Sequence, residues 1–220
     1  MIVAHDIRHG LKANQQIRAD GLRRRDTFLK ALIENGPGIE TTLRHGMSGD
    51  ISEGLRRNEL DAGFFLGDPR DYDPAAGDGA APLFHARELA QLTYRVVAPP
   101  SLASFIRDAD WTQLASLPWI GTPPASVHNR LLTRLFTDLG VRQHVVAQVD
   151  QESSMVAMVR TGVGLSLCRE SIALHEQQAH GLVIAEGVGI STTLSFLCLY
   201  ARTGDPAIAA AFDAIRRVWS

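Results

Sequence analysis

Residues 48–67, SGDISEGLRRNELDAGFFLG, read as one complete unit: helix start, short amphipathic helix, tight exit, buried strand and loop. Ser48 is the expected N-cap, since its hydroxyl can accept from a free backbone N–H of the first turn. Ile51 and Leu55 lie four apart and share a helix face. Leu60, Ala62, Phe64 and Leu66 alternate with Asp61, Gly63 and Phe65, a run apolar enough for a central strand covered on both faces. Gly67-Asp68-Pro69 stops it. An αβ unit of this kind brings a helix N-terminus and a strand C-terminus to the same edge of a sheet, and in open α/β sheets ligands bind at that edge.

The same alternation extends in both directions. Upstream, residues 6–13 predict a first strand, Asn14-Gln15-Gln16 a polar turn, and residues 17–35 a helix whose apolar stripe is Leu22, Phe28, Leu29, Leu32 and Ile33. Gly36-Pro37-Gly38 ends that helix and 39–45 alternate as a strand. Downstream, residues 67–81 form a long Gly-, Asp-, Ala- and Pro-rich loop, followed by a strand over 82–98 that Pro99-Pro100 breaks. Short helices are expected over 101–106 and 111–116, a strand over 118–121 and a rigid loop over Thr122–Ala125. A helix from Ser126 to about Leu139 follows, then a strand over 143–149 and a helix over 151–161 with Gly162 as its exit residue. A strand over 164–168, a helix over 169–178, two strands within 182–200 and a last helix over 205–218 complete the chain. This rhythm predicts an α/β fold with a mainly parallel sheet, in one sheet or in two lobes.

Composition excludes several function classes. The 220 residues carry 22 Lys and Arg against 24 Asp and Glu, no electrostatic footprint for nucleic acid. No run of 18 apolar residues exists, so no membrane span is expected, and MIVAHDIRHG is too short and too charged for a signal peptide. Cys168 and Cys198 sit in apolar strand-like runs and read as buried free thiols of a reducing, cytoplasmic compartment. The eight histidines show no spacing that would converge on a metal. Gly162-Val163-Gly164 follows a helix and opens a strand, the reverse of a dinucleotide loop, so a helix exit with close packing is expected there. There is no phosphate-binding loop and no nucleophile elbow, and the carboxylates show no pairing for acid–base work, so neither a cofactor nor a catalytic residue is assigned. Arg23-Arg24-Arg25, beside Asp26, reads as a solvated face.

Ser-Gly-Asp-Ile at 48–51, Leu55, Glu59 to Phe64 and Leu66-Gly67 resemble the first lobe of the effector-binding domain of LysR-type transcriptional regulators. Tyr94-Arg-Val-Val-Ala-Pro99 resembles that family's crossing strand. Asp110-Trp111, Leu114-Ala115 and Leu117-Pro-Trp-Ile120 resemble its next helix and strand. Met158-Val159 with Gly162 to Leu167 resemble its second-lobe helix, turn and strand. The order and spacing of these stretches carry the likeness across nearly the whole chain. The resemblance implies α/β, two doubly wound lobes joined by two crossing strands, periplasmic-binding-protein-like. One lobe would be 1–92 plus 193–220 and the other 93–192, with crossings near Thr93–Val97 and Thr193–Leu199.

Three polar helix starts stand out: Ser48, Ser126 after the Thr122–Ala125 loop, and Gln151 to Ser154. Each N-terminus carries partial positive charge and free N–H groups, which suits a carboxylate or another small anion. Each Ser or Gln also reads plainly as a cap. By resemblance the effector of such a domain is held in the interlobe cleft. The candidate ligand-binding residues are Asn14, Gln15, Gln16, Ser48, Gly67, Asp68, Thr122, Pro123, Ser126 and Ser153. The family's regulators carry a winged helix-turn-helix, whereas this sequence reaches its first expected strand within about ten residues of Met1. The expectation is therefore an effector-sensing domain, a homodimer or homotetramer that meets DNA only through a winged helix-turn-helix absent from this chain. Two other classes share the architecture: a solute-binding protein of a transporter, and a small α/β enzyme working in the same cleft. The missing leader counts against the first and the missing catalytic motifs against the second.

Overall fold

The computed structural model describes residues 2–4, 20–36, 38–73 and 81–219. They fall into two compact units, Met1–Ala90 with Thr193–Ser220, and Gln91–Thr192. The first unit opens with β1 (Ile2–Ala4), α1 (Asp20–Asn35), β2 (Thr42–Arg44), α2 (Ser48–Arg56) and β3 (Ala62–Leu66). The long strand β4 (Phe84–Ala98) then carries the chain into the second unit. That unit holds α3 (Ala103–Ile106), α4 (Trp111–Ala115), β5 (Trp119–Gly121), α5 (Val127–Asp138), β6 (Val145–Gln148), α6 (Glu152–Arg160), β7 (Ser166–Arg169), α7 (Glu170–His180) and β8 (Val183–Ile184). β9 (Ile190–Leu199) returns to the first unit, which ends with α8 (Pro206–Val218). The strand expected over 6–13 and the turn at 14–16 lie outside the described residues.

In the first unit β1 lies between β2 and β3 and is antiparallel to both, so β2 and β3, joined through α2, run the same way. β9 pairs antiparallel with β3, from Ala62 opposite Cys198 to Leu66 opposite Leu194. In the second unit β5 and β6 are parallel, and Trp119 bridges Leu165 in parallel on the other side. β7 then pairs antiparallel with residues 94–97 of β4, and β8 pairs antiparallel with the end of β4. The expectation of a mainly parallel sheet is thus corrected: among the described pairings only β5–β6 and the Trp119–Leu165 bridge are parallel. The βα rhythm records how strands are connected. It does not record that β1 inserts between β2 and β3, nor that β4 and β9 run against the strands beside them.

Each sheet is nonetheless covered on both faces, as the apolar strand runs require. Tyr94, Val96, Trp119, Leu165 and Leu167 pack to one side with Leu132 and Phe136 of α5. Val97, Ile120 and Cys168 pack to the other with Met155 and Val159 of α6 and Ala173 of α7. In the first unit Phe64 and Phe196 join Phe28 of α1 and Phe212 of α8, with Phe28 and Phe64 edge-to-face at 5.5 Å between ring centroids. Phe65 and Leu197 face the opposite layer with Ile51 and Leu55 of α2. Outside the sheets, Arg160 donates twice, at 2.6 Å, to the buried Glu176 carboxylate and fastens α6 to α7. Gly162 has φ +88° at the exit of α6. A Cβ at Gly164 would collide with the Pro118 carbonyl. The two glycines therefore end a helix and let two backbones approach, as their position in the sequence predicts.

Candidate functional site

In the first unit Ser48 is the first residue of α2 and Met47 is its N-cap. The Met47 carbonyl accepts from Ile51 N–H at 3.0 Å, and Met47 N–H donates to Asp50 Oδ2 at 3.0 Å. The expectation that Ser48 caps its own helix is corrected. Its buried Oγ instead accepts from Leu66 N–H, 3.1 Å away at the end of β3. A serine one position inside the helix no longer reaches its own first-turn donors, and the nearest unsatisfied N–H belongs to the strand that follows. Ser48 and the Leu66–Gly67 corner are thereby brought together. Gly67, at φ +117°, donates its N–H to the Thr193 carbonyl at 3.0 Å. Asp68 caps a short 3-10 turn and accepts from Arg70 N, Nε and Nη2 at 2.9, 3.0 and 2.7 Å.

In the second unit Ser126 is the N-cap of α5, and its Oγ accepts from His128 N–H at 3.2 Å. Its own N–H donates to the Pro123 carbonyl at 2.9 Å, which closes the loop. Thr122, at the exit of β5, is only 5% exposed. Its carbonyl accepts from Asn129 Nδ2 and Gln148 Nε2, each at 2.9 Å. Its hydroxyl Oγ1 is buried with no hydrogen-bond partner among the described residues. Ser153 stands second in α6, whose N-cap Gln151 makes no side-chain cap bond. Val149 N–H donates to the Gly121 carbonyl at 3.0 Å, so the chain leaves β5 and β6 at the same end of the parallel pair. Asn14, Gln15 and Gln16 fall outside the described residues.

The three helix starts differ electrostatically. Asp50 stands in the first turn of α2 and Glu152 in the first turn of α6, whereas α5 has no acid there. A carboxylate at an N-terminus already takes the favourable interaction with the dipole that a bound anion would need. Glu152 is further engaged by Arg169, with Nη2 to Oε2 at 2.6 Å. Of these three, α5 alone has no acid in its first turn, and it follows Thr122, whose hydroxyl has no partner among the described residues. Below it His128 is buried edge-on against Tyr94, with ring centroids 4.7 Å apart. Burial lowers the His128 pKa to about 4; Glu152 opposes that shift and Arg169 adds to it. The imidazole is therefore neutral at physiological pH, and burial also raises the Tyr94 phenol pKa. Asn129 and Gln148, which clamp the Thr122 carbonyl, were not among the sequence candidates. Asn129 stands three residues after Ser126 on α5, and nothing local marks Gln148 as its companion.

A family model described as the LysR substrate binding domain matches residues 26–220. The chain belongs to that family. This LysR-type effector-binding domain has the periplasmic-binding-protein-like α/β fold, and solved structures of similar fold include three with bound small molecules. The effector-binding domain of QuiR in complex with shikimate is 17% identical with a TM-score of 0.68, covering 91% of this chain and 90% of that one. The regulatory domain of Synechocystis PCC6803 CcmR in complex with 2-PG is 16% identical with a TM-score of 0.70, covering 91% and 93%. Full-length LysG from Corynebacterium glutamicum with bound effector Arg is 22% identical with a TM-score of 0.59, covering 91% of the LysR-type domain and 65% of LysG. No curated protein sequence matches the domain significantly. Among its described residues no helix is long and apolar enough to cross a membrane.

Proposed function

We propose that this domain senses a small anionic metabolite, held by the Thr122 hydroxyl, the Thr122–Ser126 loop and the first turn of α5, and performs no chemistry on it. The observation that carries the reading is the buried Thr122 Oγ1, without a partner among the described residues, beside the one of the three polar helix starts that has no first-turn acid. A buried hydroxyl without a partner is costly, and a ligand oxygen admitted by a shift of the Thr122–Ser126 loop would relieve it. Shikimate, named with one of the similar structures, carries a carboxylate. Binding would act in the cytoplasm on transcription, with DNA contacted through a winged helix-turn-helix of the regulator.

A thermal-shift screen of organic-acid anions should find a stabilising effector, since a ligand at 100 times its dissociation constant adds about 2.7 kcal/mol. Two variants then separate binding from support. Thr122→Val keeps the shape and removes a hydroxyl that has no partner among the described residues, so stability should be unchanged or slightly raised. Effector affinity should fall about tenfold, or about 1.4 kcal/mol. Ser48→Ala removes the acceptor of Leu66 N–H and should cost on the order of 1 kcal/mol of stability. Undiminished affinity in Thr122→Val would exclude the site.

We also propose that the domain is a homodimer or homotetramer in which α1 of one copy meets the second unit of another. Phe28 and Leu32 of α1 turn into the core, but Ile33 is left 60% exposed, as is Leu174 of α7 at 47%. Light scattering across a concentration series is expected to give at least twice the 24.0 kDa chain mass. A monomeric mass throughout would count against this arrangement.

A further inference from the structure

Arg169, a residue outside the sequence candidates, stands at the edge where the parallel strands of the second unit end. β5 and β6 run parallel, and Leu165, just before β7, bridges Trp119 in parallel. The C-terminal ends of β5, β6 and β7 therefore lie on one edge. Thr122 follows the first, Glu152 opens α6 after the second, and Arg169 closes the third. In open α/β sheets ligands bind at that edge.

Glu152 takes one side of the guanidinium and leaves the other. Arg169 Nη2 donates to Glu152 Oε2 at 2.6 Å, while Nε and the backbone N–H reach Oε1 at 3.5 and 3.4 Å. Nη1 makes no hydrogen bond among the described residues, and it is not a buried atom. The Nη1–Nη2 side of the fork is thus open while the Nε–Nη2 side is pinned, and the two oxygens of a carboxylate fit such a side together. Each side chain of the pair is only 23% exposed, and a hydrogen bond to a partly desolvated guanidinium is stronger than one in open water. No other acid competes from the next position: Glu170 is committed to Arg95 Nε at 2.8 Å. His128, in the first turn of α5, feels both Glu152 and Arg169, so the pair stands beside the helix start that lacks an acid.

We propose that Arg169 selects the charge of the effector: its Nη1–Nη2 side receives the ligand carboxylate while Glu152 holds the guanidinium in place. This rests on the reading of the Thr122–Ser126 edge as the effector site. The test is a titration of the ¹⁵N-labelled full chain with sodium propionate at constant ionic strength, with propionamide as the uncharged match. Saturable shifts are expected at the Arg169 Nε–H and at the amides of Val127 and His128, and none from propionamide. A dissociation constant of about 10 mM is within reach of a ligand of about five heavy atoms. Arg169→Gln should weaken propionate at least tenfold, and Arg169→Lys, which keeps the charge but loses the fork, severalfold. Glu152→Gln breaks the same ion pair yet removes the competing negative charge, so affinity should rise severalfold. An ion pair that only fastened α6 to β7 would weaken binding in both variants alike. Equal losses in Arg169→Gln and Glu152→Gln, or unchanged affinity in Arg169→Gln, would overturn the proposal. If Thr122→Val weakens propionate while Arg169→Gln does not, the site stands and Arg169 has no part in it; the reverse pattern keeps Arg169 and removes Thr122. A titration without saturable shifts would overturn both.

Discussion

Trp119→Ala should destabilise the chain by about 4 kcal/mol, the range found when a fully buried large aromatic is truncated. Trp119 has no solvent exposure and stands edge-on to Phe136 at 5.9 Å between centroids. Its Nε1–H donates to the Leu114 carbonyl at 2.7 Å, and its backbone N–H to the His144 carbonyl at 2.8 Å. The indole therefore ties α4 to β5, and alanine would leave a cavity and remove one of the hydrogen bonds to the Leu114 carbonyl, which keeps Leu117 N–H at 3.1 Å. Trp119→Phe, which refills most of the space and gives up only the indole hydrogen bond, should lose about 1 kcal/mol. Urea unfolding should show a lowered midpoint at an unchanged slope. A loss below about 1.5 kcal/mol in Trp119→Ala would mean that this residue does not organise the strand leading to Thr122.

Acidification should cost stability through His128 before the carboxylates respond. An unfolded histidine titrates near pH 6.5, whereas burial holds native His128 at about 4. Between these values the unfolded chain takes up a proton that the native chain refuses, so stability falls as the pH drops from 6.5 to 4. Integrated over that window the loss is roughly 3 kcal/mol. The carboxylates act lower down. Asp205 is held below the ordinary aspartate value of 3.8 chiefly by the Arg202 hydrogen bond. Glu176, whose burial works to raise its pKa, is pulled below 4.5 by the Arg160 hydrogen bond. Both contribute stability above those values and lose it as the pH falls further. His128→Phe keeps an aromatic ring against Tyr94 and should flatten the stability profile between pH 6.5 and 4.5. Parallel wild-type and variant profiles in that interval would show that His128 is not the group responsible.

The elements were readable where periodicity records burial. β3 and β9 appear as apolar runs because Phe64 and Phe196 face one layer while Phe65 and Leu197 face the other. Ser126 was recognisable as a cap because the donor it accepts from is two residues away. Ser48 was misread because its true donor, Leu66 N–H, is 18 positions downstream and arrives only with the fold. Strand direction escaped for the same reason: local pattern does not tell which distant strand will lie alongside. The clamp on the Thr122 carbonyl joins Asn129, 7 residues on, with Gln148, 26 residues on, a pairing no spacing rule anticipates. The acids that set α2 and α6 apart from α5 stood in plain view at positions 50 and 152, and the first-turn charge rule ranks the three helix starts from sequence alone.

The chain enters the second unit along β4 and comes back along β9, so that unit is one uninterrupted stretch while the first is assembled from the two ends of the polypeptide. Synthesis proceeds from the N-terminus, and domains fold largely as units as they emerge. The inner unit therefore has all its strands and helices at hand while the ribosome is still making β9 and α8. Until then β3 lacks its partner β9, and Phe28 and Phe64 lack Phe196 and Phe212. The half-made protein accordingly presents an open strand edge and an uncovered aromatic cluster, and a truncated product ending before β9 would carry both permanently, as a surface for chaperones or for aggregation.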